Sequence, residues 1–522
     1  TQKRVHLTGA VDAISAEEIE DLPLGNLGAA LTGRLLGLGV SGGTSRPGHA
    51  AQLTIRNPLS LAKDGGNNNP LFVIDGVLQI NAEGNNDASF FNNLDPSEIE
   101  SISVLKDASA AVYGSRSANG VVIVTTKRGR AGAPRISYSG SVALNDEAYR
   151  TEMLSAYELA RYVNIMNGPY GADEDPGDQE RFFSPDELEH YRNINHDWLD
   201  QAWSSAYNTR HTLNVSGGSE QATYFAGVSW YKQDGNLGKL DHQKWTFRAG
   251  ADVNVASGLK AGLQVSGYQQ DIYRINSEIG GEQEENDYRN LLKAPRYVPS
   301  YINGLPVRLP GDGNDLDGYH FFEINNQNNY RDLKDFNGAV NLYAEYAAPF
   351  IPGLKLRGSY ARSIASGRAQ IIGTEYTVYR FDLQGEHGHI YEGATNPEAI
   401  PTRNDNRLRL SNTRGIRSQA NFSVNYDRQF GEHSLSIFGT IERSESESHF
   451  EEILKDEPSP FTNGTLTSAF GALDARDGSD EAGTLGYVGQ VNYRYRGKYL
   501  ADLMFRSDAS TKFAPENYWG KF

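Results

Sequence analysis

The 522-residue chain has no cysteine, which removes disulfides and thiolate metal sites from consideration. It also lacks any apolar run approaching the roughly 20 residues of a spanning helix. With a mean hydropathy of −0.56, a helical membrane protein is excluded. A transmembrane barrel is not excluded, because its strands are apolar on one face only. Basic residues are scarce: 49 Lys and Arg against 66 Asp and Glu leave a net charge of −17. That balance argues against a binder of nucleic acid or of an anionic membrane surface. No signal peptide stands at Thr1, so the sequence is expected to be mature, trimmed or incomplete. Neither GxSxG nor HExxH occurs, no acid pair is held on rigid elements, and nothing argues for an enzyme.

What is present divides at about residue 130. Ser15 with Glu18 reads as a capping box, followed by a helical pattern through Leu27, Leu31 and Leu35. Gln52 to Arg56 and Leu71 to Ile74 read as strands, separated by Gly- and Asn-rich loops over Asp64 to Asn69 and Asn81 to Asn93. Asp95, Pro96 and Glu98 read as N-cap, first-turn proline and a carboxylate reaching back to the cap. A strand over Ser101 to Leu105 follows, then a short helix over Lys106 to Tyr113 stopped by Gly114, then a β-branched strand over Val121 to Thr126. Residues 1–130 therefore form a small α+β domain, with Gly129 to Pro134 as its linker.

From Arg135 the hydrophobic period becomes two. Trp245, Phe247, Ala249, Ala251, Val253 and Val255 alternate with Thr246, Arg248, Gly250, Asp252 and Asn254. Similar alternation recurs at 259–266, 419–426 and 489–496, with the charges on the polar face. A soluble sandwich alternates too, so the period alone decides nothing. The connections decide: GGSEQ, ASG, AAPFIPG, FGEH and RGK are tight turns, and the segments around 145–208, 269–334, 365–414 and 444–484 are long. One rim of turns and one of loops is the outer-membrane arrangement. Tyr346, Tyr426, Tyr495 and Tyr499 lie beside the turns, where an aromatic girdle belongs. Ten or eleven strands are expected over 135–522, whereas a barrel that encloses a domain needs about 22. The chain is thus expected to hold the N-terminal half of its barrel.

Several motifs carry little. Gly37, Gly39 and Gly42 spell GxGxxG, but helix precedes and strand follows, the reverse of a dinucleotide site. His387 and His389 read as a chance pair, and Asp312, Asn314, Asp315 and Asp317 lack the spacing of a calcium loop. No metal and no cofactor is expected. Tyr297, Tyr301, Tyr319, Phe321 and Phe322 suit either a binding wall, a docking surface for a lid, or the core of their own loop.

PLFVIDGV (Pro70 to Val77), followed after a gap by DPSEIESISVLKDASAAVYGSRSANGVVIVTTKRG, resembles the plug domain of TonB-dependent outer-membrane transporters. The form KDASAAVYGSRSANGVV is similar to the SusC/RagA subfamily of Bacteroidetes. LTGAVDAISAEEIEDLP (Leu7 to Pro23), DWLDQAW (Asp197 to Trp203) and the stretch from Thr212 to Gly235 resemble it at the expected places. The resemblance implies an α+β plug followed by antiparallel strands of a transmembrane barrel in a Gram-negative outer membrane. It implies energised import of an oligosaccharide or oligopeptide, driven by the TonB–ExbB–ExbD complex through a peptide upstream of Thr1. A SusD-like surface lipoprotein is the expected partner, and the transporter pair could form a homodimer. A signalling receptor or a component of a surface assembly stays open as an alternative.

The resemblance places the loops around Arg46 to His49, Asp64 to Asn69 and Asn81 to Asn93 at the external apex. There Asn67, Asn68 and Asn92 would offer amides to a ligand, and Phe90 and Phe91 flat faces for stacking. The same residues suit turn-making and packing against the wall. Arg56 and Lys106 match plug cations that pair with barrel carboxylates as a latch in related transporters, although Lys stands where Arg is usual and Asn57 where Gly is usual. The barrel partners are expected in the missing half, and ordinary surface charges are the alternative.

Overall fold

The computed structural model describes residues 11–20, 22, 24–42, 47–55, 68–81, 84–106, 110, 112–167, 181–279, 284–310, 316–459, 462 and 464–521. Seven short strands come first: β1 (Val11–Ser15), β2 (Leu38–Ser41), β3 (Gln52–Ile55), β4 (Leu71–Ile74), β5 (Val77–Gln79), β6 (Ile99–Leu105) and β7 (Val121–Thr126). Five form a sheet in the order β1-β6-β7-β4-β5, with β4 and β7 parallel and the other pairs antiparallel; β2 and β3 pair separately. The uninterrupted LFVI of β4 is explained by burial on both faces. Phe72 and Ile74 join a core with Leu27, Leu31, Leu35 and Leu53, while Leu71 and Val73 pack with Leu78, Ile80 and Val121.

The helical expectations here are shortened. Glu18 accepts from the Ser15 amide and hydroxyl at 3.2 and 3.1 Å, which is half of a capping box, and the element is a 3-10 turn, Ala16–Glu18. Leu27–Ala30 is one α-helical turn capped by Asn26. Asp95 caps a 3-10 turn, Pro96–Glu98, by accepting from the Ser97 amide at 2.9 Å. Glu98 does not reach back to the cap; it is buried. Of the helix expected over Lys106 to Tyr113, the described residues 110, 112 and 113 are 3-10 turn.

Sixteen strands follow. β8 (Gly132–Asn145), β9 (Ala206–Gly218), β10 (Ala222–Asp234), β11 (Leu240–Ala256) and β12 (Leu259–Ile275) are joined in sequence by wall pairing. A small hairpin, β13 (Tyr301–Ile302) and β14 (Leu305–Pro306), lies in the loop before β15 (Tyr330–Ala347) and β16 (Leu354–Ile372). A longer hairpin, β17 (Glu375–Gln384) and β18 (Ile390–Arg403), precedes β19 (Arg407–Phe430), β20 (His433–Asp456), β21 (Leu473–Tyr495), β22 (Tyr499–Ser510) and β23 (Trp519–Lys521). Twelve of these make one antiparallel sheet, β8-β9-β10-β11-β12-β15-β16-β19-β20-β21-β22-β23, one more than the upper expectation. The short β23 at the end of the described chain completes the twelve. Among the described residues β8 and β23 are the two edges, and the sheet does not close on itself.

The register shows which face is which. Leu213, Val228 and Phe247 are directly opposed and 46%, 39% and 37% exposed; one residue away, Thr212, Ser229 and Thr246 are opposed and 2%, 3% and 3% exposed. The polar face is buried and the apolar face is bare. This is the inverse of a soluble sandwich and is what a wall standing in lipid requires. The wall curves around the N-terminal unit, which it touches from β9 through β12 and again at β19 and β22. Gly129 shows how closely the chain passes the wall on leaving that unit: a Cβ there would lie 2.4 Å from the Tyr224 backbone nitrogen.

The four tyrosines expected at a girdle stand at the turn ends, with Tyr495 and Tyr499 stacked at 6.3 Å between ring centres. On the opposite rim the long loops build a second core around Trp198, Leu291, Val298, Tyr319, Phe321 and Tyr376. Tyr319 and Phe321, 0% and 2% exposed, are thus interior to the loops.

Candidate functional site

The plane of contact between the N-terminal unit and the wall carries buried charge. Arg210 on β9 donates from Nη2 to Asp95 Oδ1 at 2.9 Å, and Ser229 on β10 donates to Asp95 Oδ2 at 2.6 Å. Arg248 on β11 reaches Asp75 Oδ2 at 3.3 Å, the Thr126 hydroxyl, and the Glu98 and Lys127 carbonyls. Lys244 donates to the Gly25 carbonyl, Arg417 to the Leu78 carbonyl, and Arg506 to the Val112 carbonyl. Both side chains of the Arg210–Asp95 pair are 6% exposed. At such burial, removing one partner strands the other charge at a cost of about 3–5 kcal/mol.

This seat differs from the latch expected at Arg56 and Lys106. Lys106 is buried, and its ammonium donates to the Leu36 carbonyl inside the N-terminal unit. Arg56 lies outside the described residues. In the buried pairs the cations come from the wall and the carboxylates from the N-terminal unit. Asp95 had been read only as a cap, which it is, yet its carboxylate also carries the wall arginine. A sequence signal for the partners did exist: Arg210, Lys244 and Arg248 sit at polar-face positions in mid-strand, where a charge must have a partner inside.

Burial raises the Asp95 carboxyl, but Arg210, Ser229 and Ser97 overcome this and hold it below its ordinary 3.8. Glu98 is pushed up to about 8 by burial and by Asp95, against Arg248, Lys244 and Arg210. Its Oε1 has no hydrogen-bond partner among the described residues.

Toward the loop rim from this seat, space opens on the other side. A cavity of about 290 Å³ is bounded by Asn26, His49, Asp87, Asn92 and Asn93 from the N-terminal unit and by Gln233, His242, Tyr268, Gln270, Asp335 and Asn337 from the wall. A neighbouring cavity of about 370 Å³ shares Asp87, Asn337, Ala365 and Thr413 and is also bounded by Phe90. The wall inward of β15, β16 and β19 is built here from Ala339, Ala361, Ala365 and Gly415, which leaves the chamber its width.

Of the residues expected to meet a ligand, Phe90 and Asn92 line these cavities. Phe91 is fully buried and stacks on Phe72 at 4.7 Å, and Phe90 also packs on Tyr268 at 6.0 Å. Asn92 donates to the Ala51 carbonyl at 3.0 Å. Asn68 is half-buried and borders neither cavity. Asn67 lies outside the described residues, as do Asp312, Asn314 and Asp315. His387 and His389 belong to a joint between loops. The two backbone amides donate to Glu187 Oε1 at 2.9 and 3.0 Å, and His389 Nδ1 lies 2.8 Å from Glu187 Oε2. No group of three or more potential metal ligands occurs among the described residues.

A globular stopper bound by charge inside an outward-apolar wall defines an outer-membrane receptor of the plug-and-barrel class, and residues 3–121 match the family model described as TonB-dependent Receptor Plug Domain. The chain is 27% identical to the TonB-dependent receptor SusC of Bacteroides thetaiotaomicron, covering 100% of this chain and 49% of that protein. It is likewise 27% identical to the TonB-dependent receptor P26 of Formosa agariphila, over 99% of this chain and 48% of that protein. Among solved structures, the RagAB peptide importer in its open-open state superposes with a TM-score of 0.74 at 20% identity, over 100% of this chain and 56% of that one. The siderophore receptor PirA of Acinetobacter baumannii gives 0.51 at 16% identity, over 98% of this chain and 57% of that one. The chain carries a TonB-dependent receptor plug domain and is similar along its whole length to the receptor SusC and to the RagAB importer. It spans about half the length of the relatives it matches.

Proposed function

We propose that the chain is the plug, residues 1–130, and the first part of the barrel, residues 135–522, of an importer that takes a nutrient across the outer membrane at the expense of TonB. The observation that carries this reading is the pairing of a bolted side with an open side. The plug is fixed to β9 and β11 by buried ion pairs, and it faces β12–β19 across a chamber lined with amides, small residues and, in its larger part, charged side chains that include Arg362, Arg414 and Arg417. A ligand would enter from the loop rim, meet Phe90, Asn92 and the wall amides, and pass when part of the plug loses its order, a segmental order-to-disorder change. Asn67, Asn68, Phe90, Phe91 and Asn92 keep their proposed place at the plug apex, Phe91 there as the support on which Phe90 rests. The SusC and RagAB relatives support a SusD-like lipoprotein over the loop rim, and TonB, ExbB and ExbD as the source of energy.

The test is growth of the source bacterium on single nutrients. Loss of this protein and loss of TonB are each expected to abolish growth on the same nutrient. Uptake that persists without TonB would overturn the proposal.

A further inference from the structure

The smaller cavity, of about 290 Å³, has walls with charge of one sign. Its lining contains two carboxylates, Asp87 and Asp335, and neither lysine nor arginine. One wall row runs in register across five strands as Lys244, Gln270, Asp335, Gly367 and Thr413. Lys244, at the end of that row, is turned onto the Gly25 carbonyl of the plug and does not reach the lining. Asp335 receives one hydrogen bond, from Gln270 Nε2 to Oδ2 at 3.1 Å. Gly367 opposite gives Asp335 its room: a Cβ there would stand 3.0 Å from Oδ1. Asp87 is oriented by Ser89, whose amide and hydroxyl donate to Oδ1 at 2.9 and 2.7 Å. Both carboxylates line the cavity together with the Tyr268 ring.

A second feature points to a ligand independently. His242, 4% exposed, lines the same cavity, and neither ring nitrogen has a hydrogen-bond partner among the described residues; the Gln270 amide faces it outside bonding geometry. Leaving a buried imidazole unbonded is costly unless something else completes it. His242 stands on β11, two strands from Asp335 and directly opposite Gln233 on β10.

We propose that this cavity selects ligands bearing a primary ammonium group, held between Asp87 and Asp335 against the Tyr268 face, with His242 and Gln233 bonding the uncharged part beside it. A carboxylate accepts strongly from an ammonium, and an aromatic face adds to it. In the smaller cavity an anionic ligand meets two carboxylates and no lysine or arginine, whereas the neighbouring cavity carries Arg248, Arg362, Arg414 and Arg417. The inference rests on the import reading for the route by which a ligand arrives, but not for the chemistry of the contact. The ammonium could come from the end of a peptide or from an amino sugar.

The two sources and the inference separate in one binding experiment on the full-length protein with its partner, purified in detergent and free of any energy source. The probes are triglycine and its N-acetyl form, and the glucosamine trimer and its N-acetylated counterpart, followed by calorimetry. Acetylation is expected to weaken binding about tenfold or more in at least one pair, since one charge-assisted contact is worth that factor. The pair that responds identifies the source. Asp335→Asn is expected to remove the discrimination, while an unchanged melting temperature shows that the variant is folded. Equal binding of free and acetylated forms overturns the proposal, as does binding of neither amine, or discrimination that survives Asp335→Asn. Because no TonB is present, these outcomes leave the import reading to its own test; uptake without TonB would sink that reading and leave a measured amine preference standing.

Discussion

Glu98 and Asp95 show how two carboxyls three residues apart receive opposite treatment from one wall. Asp95 takes Arg210 and Ser229 directly, so its charge contributes to stability above about 3.8 and is lost as pH falls through its lowered folded value. Glu98 has no ion pair of its own among the described residues. Its carboxyl, raised from 4.5 to about 8, keeps a proton in the folded chain that the unfolded chain releases. Stability therefore falls as pH rises from about 4.5 to about 8 and levels off beyond it. The seat should be firmest in mild acid. Urea unfolding of the plug is expected to show a midpoint that declines from pH 5 to pH 8, and Glu98→Gln should flatten that decline. A decline of the same steepness in the variant would show that some other group is responsible. None of this was legible from DPSEIE, where both carboxyls read as local capping. The partners lie more than a hundred positions away, and no local pattern reports the field they produce.

At the scale of elements, the turn ends of the strands were readable and the loop ends were not. β20 continues to Asp456 and β16 to Ile372, past the limit at which apolar and polar residues stop alternating. Below that limit the outward positions are apolar, as at Ile437 and Ile441; above it they are Arg443, Glu445 and Glu447. Outside lipid nothing demands alternation, so the period-two signal ends while backbone pairing goes on. At 24 residues β20 is more than twice the roughly 9–11 residues that a bilayer requires, and the excess forms a wall for the loops. At the joint between two of those loops one carboxylate gathers most donors, beside bonds from Tyr191 to the His389 carbonyl and from the Glu386 amide to Asp186. Glu187, with its side chain 0% exposed, accepts from the Ser184 amide at 2.9 Å in its own helix and from the His387 and His389 amides of the β17–β18 turn. Glu187→Ala should cost on the order of 3 kcal/mol locally, because several donors to a buried charge lose their acceptor together. Hydrogen exchange is the measurement: residues 181–199 and 385–392 are expected to lose protection while the plug strands keep theirs. Protection unchanged in both loops would mean that the aromatic packing around Tyr191 and Tyr297 suffices to hold them.

For the whole molecule, the decisive property is that burial is inverted, and this sets the cost of a charge by the face it occupies and by its height. Arg248 and Arg210 are inexpensive because they point inward onto plug carboxylates. Val424, 36% exposed on β19, points outward and is directly opposed to Gly439 on β20, between Ile437 and Ile441 in the apolar belt. Further along β20, Glu442 is turned inward to Arg506, while Glu445 lies on the outward face beyond the belt. Val424→Arg should therefore destabilise the protein folded into lipid vesicles by about 2–4 kcal/mol, whereas Glu445→Arg should change it by no more than about 1 kcal/mol. Both substitutions place the same guanidinium on the same outward surface, so only height in the bilayer distinguishes them. Reversible urea titration of the full-length protein in vesicles would measure both. Equal tolerance of the two would mean that the apolar face does not stand in lipid, and the assignment of the wall to a membrane would fail with it. A larger loss at Glu445→Arg would place the lipid boundary beyond residue 445 and require the loops to begin further from the turn rim than the change from Ile441 to Arg443 implies.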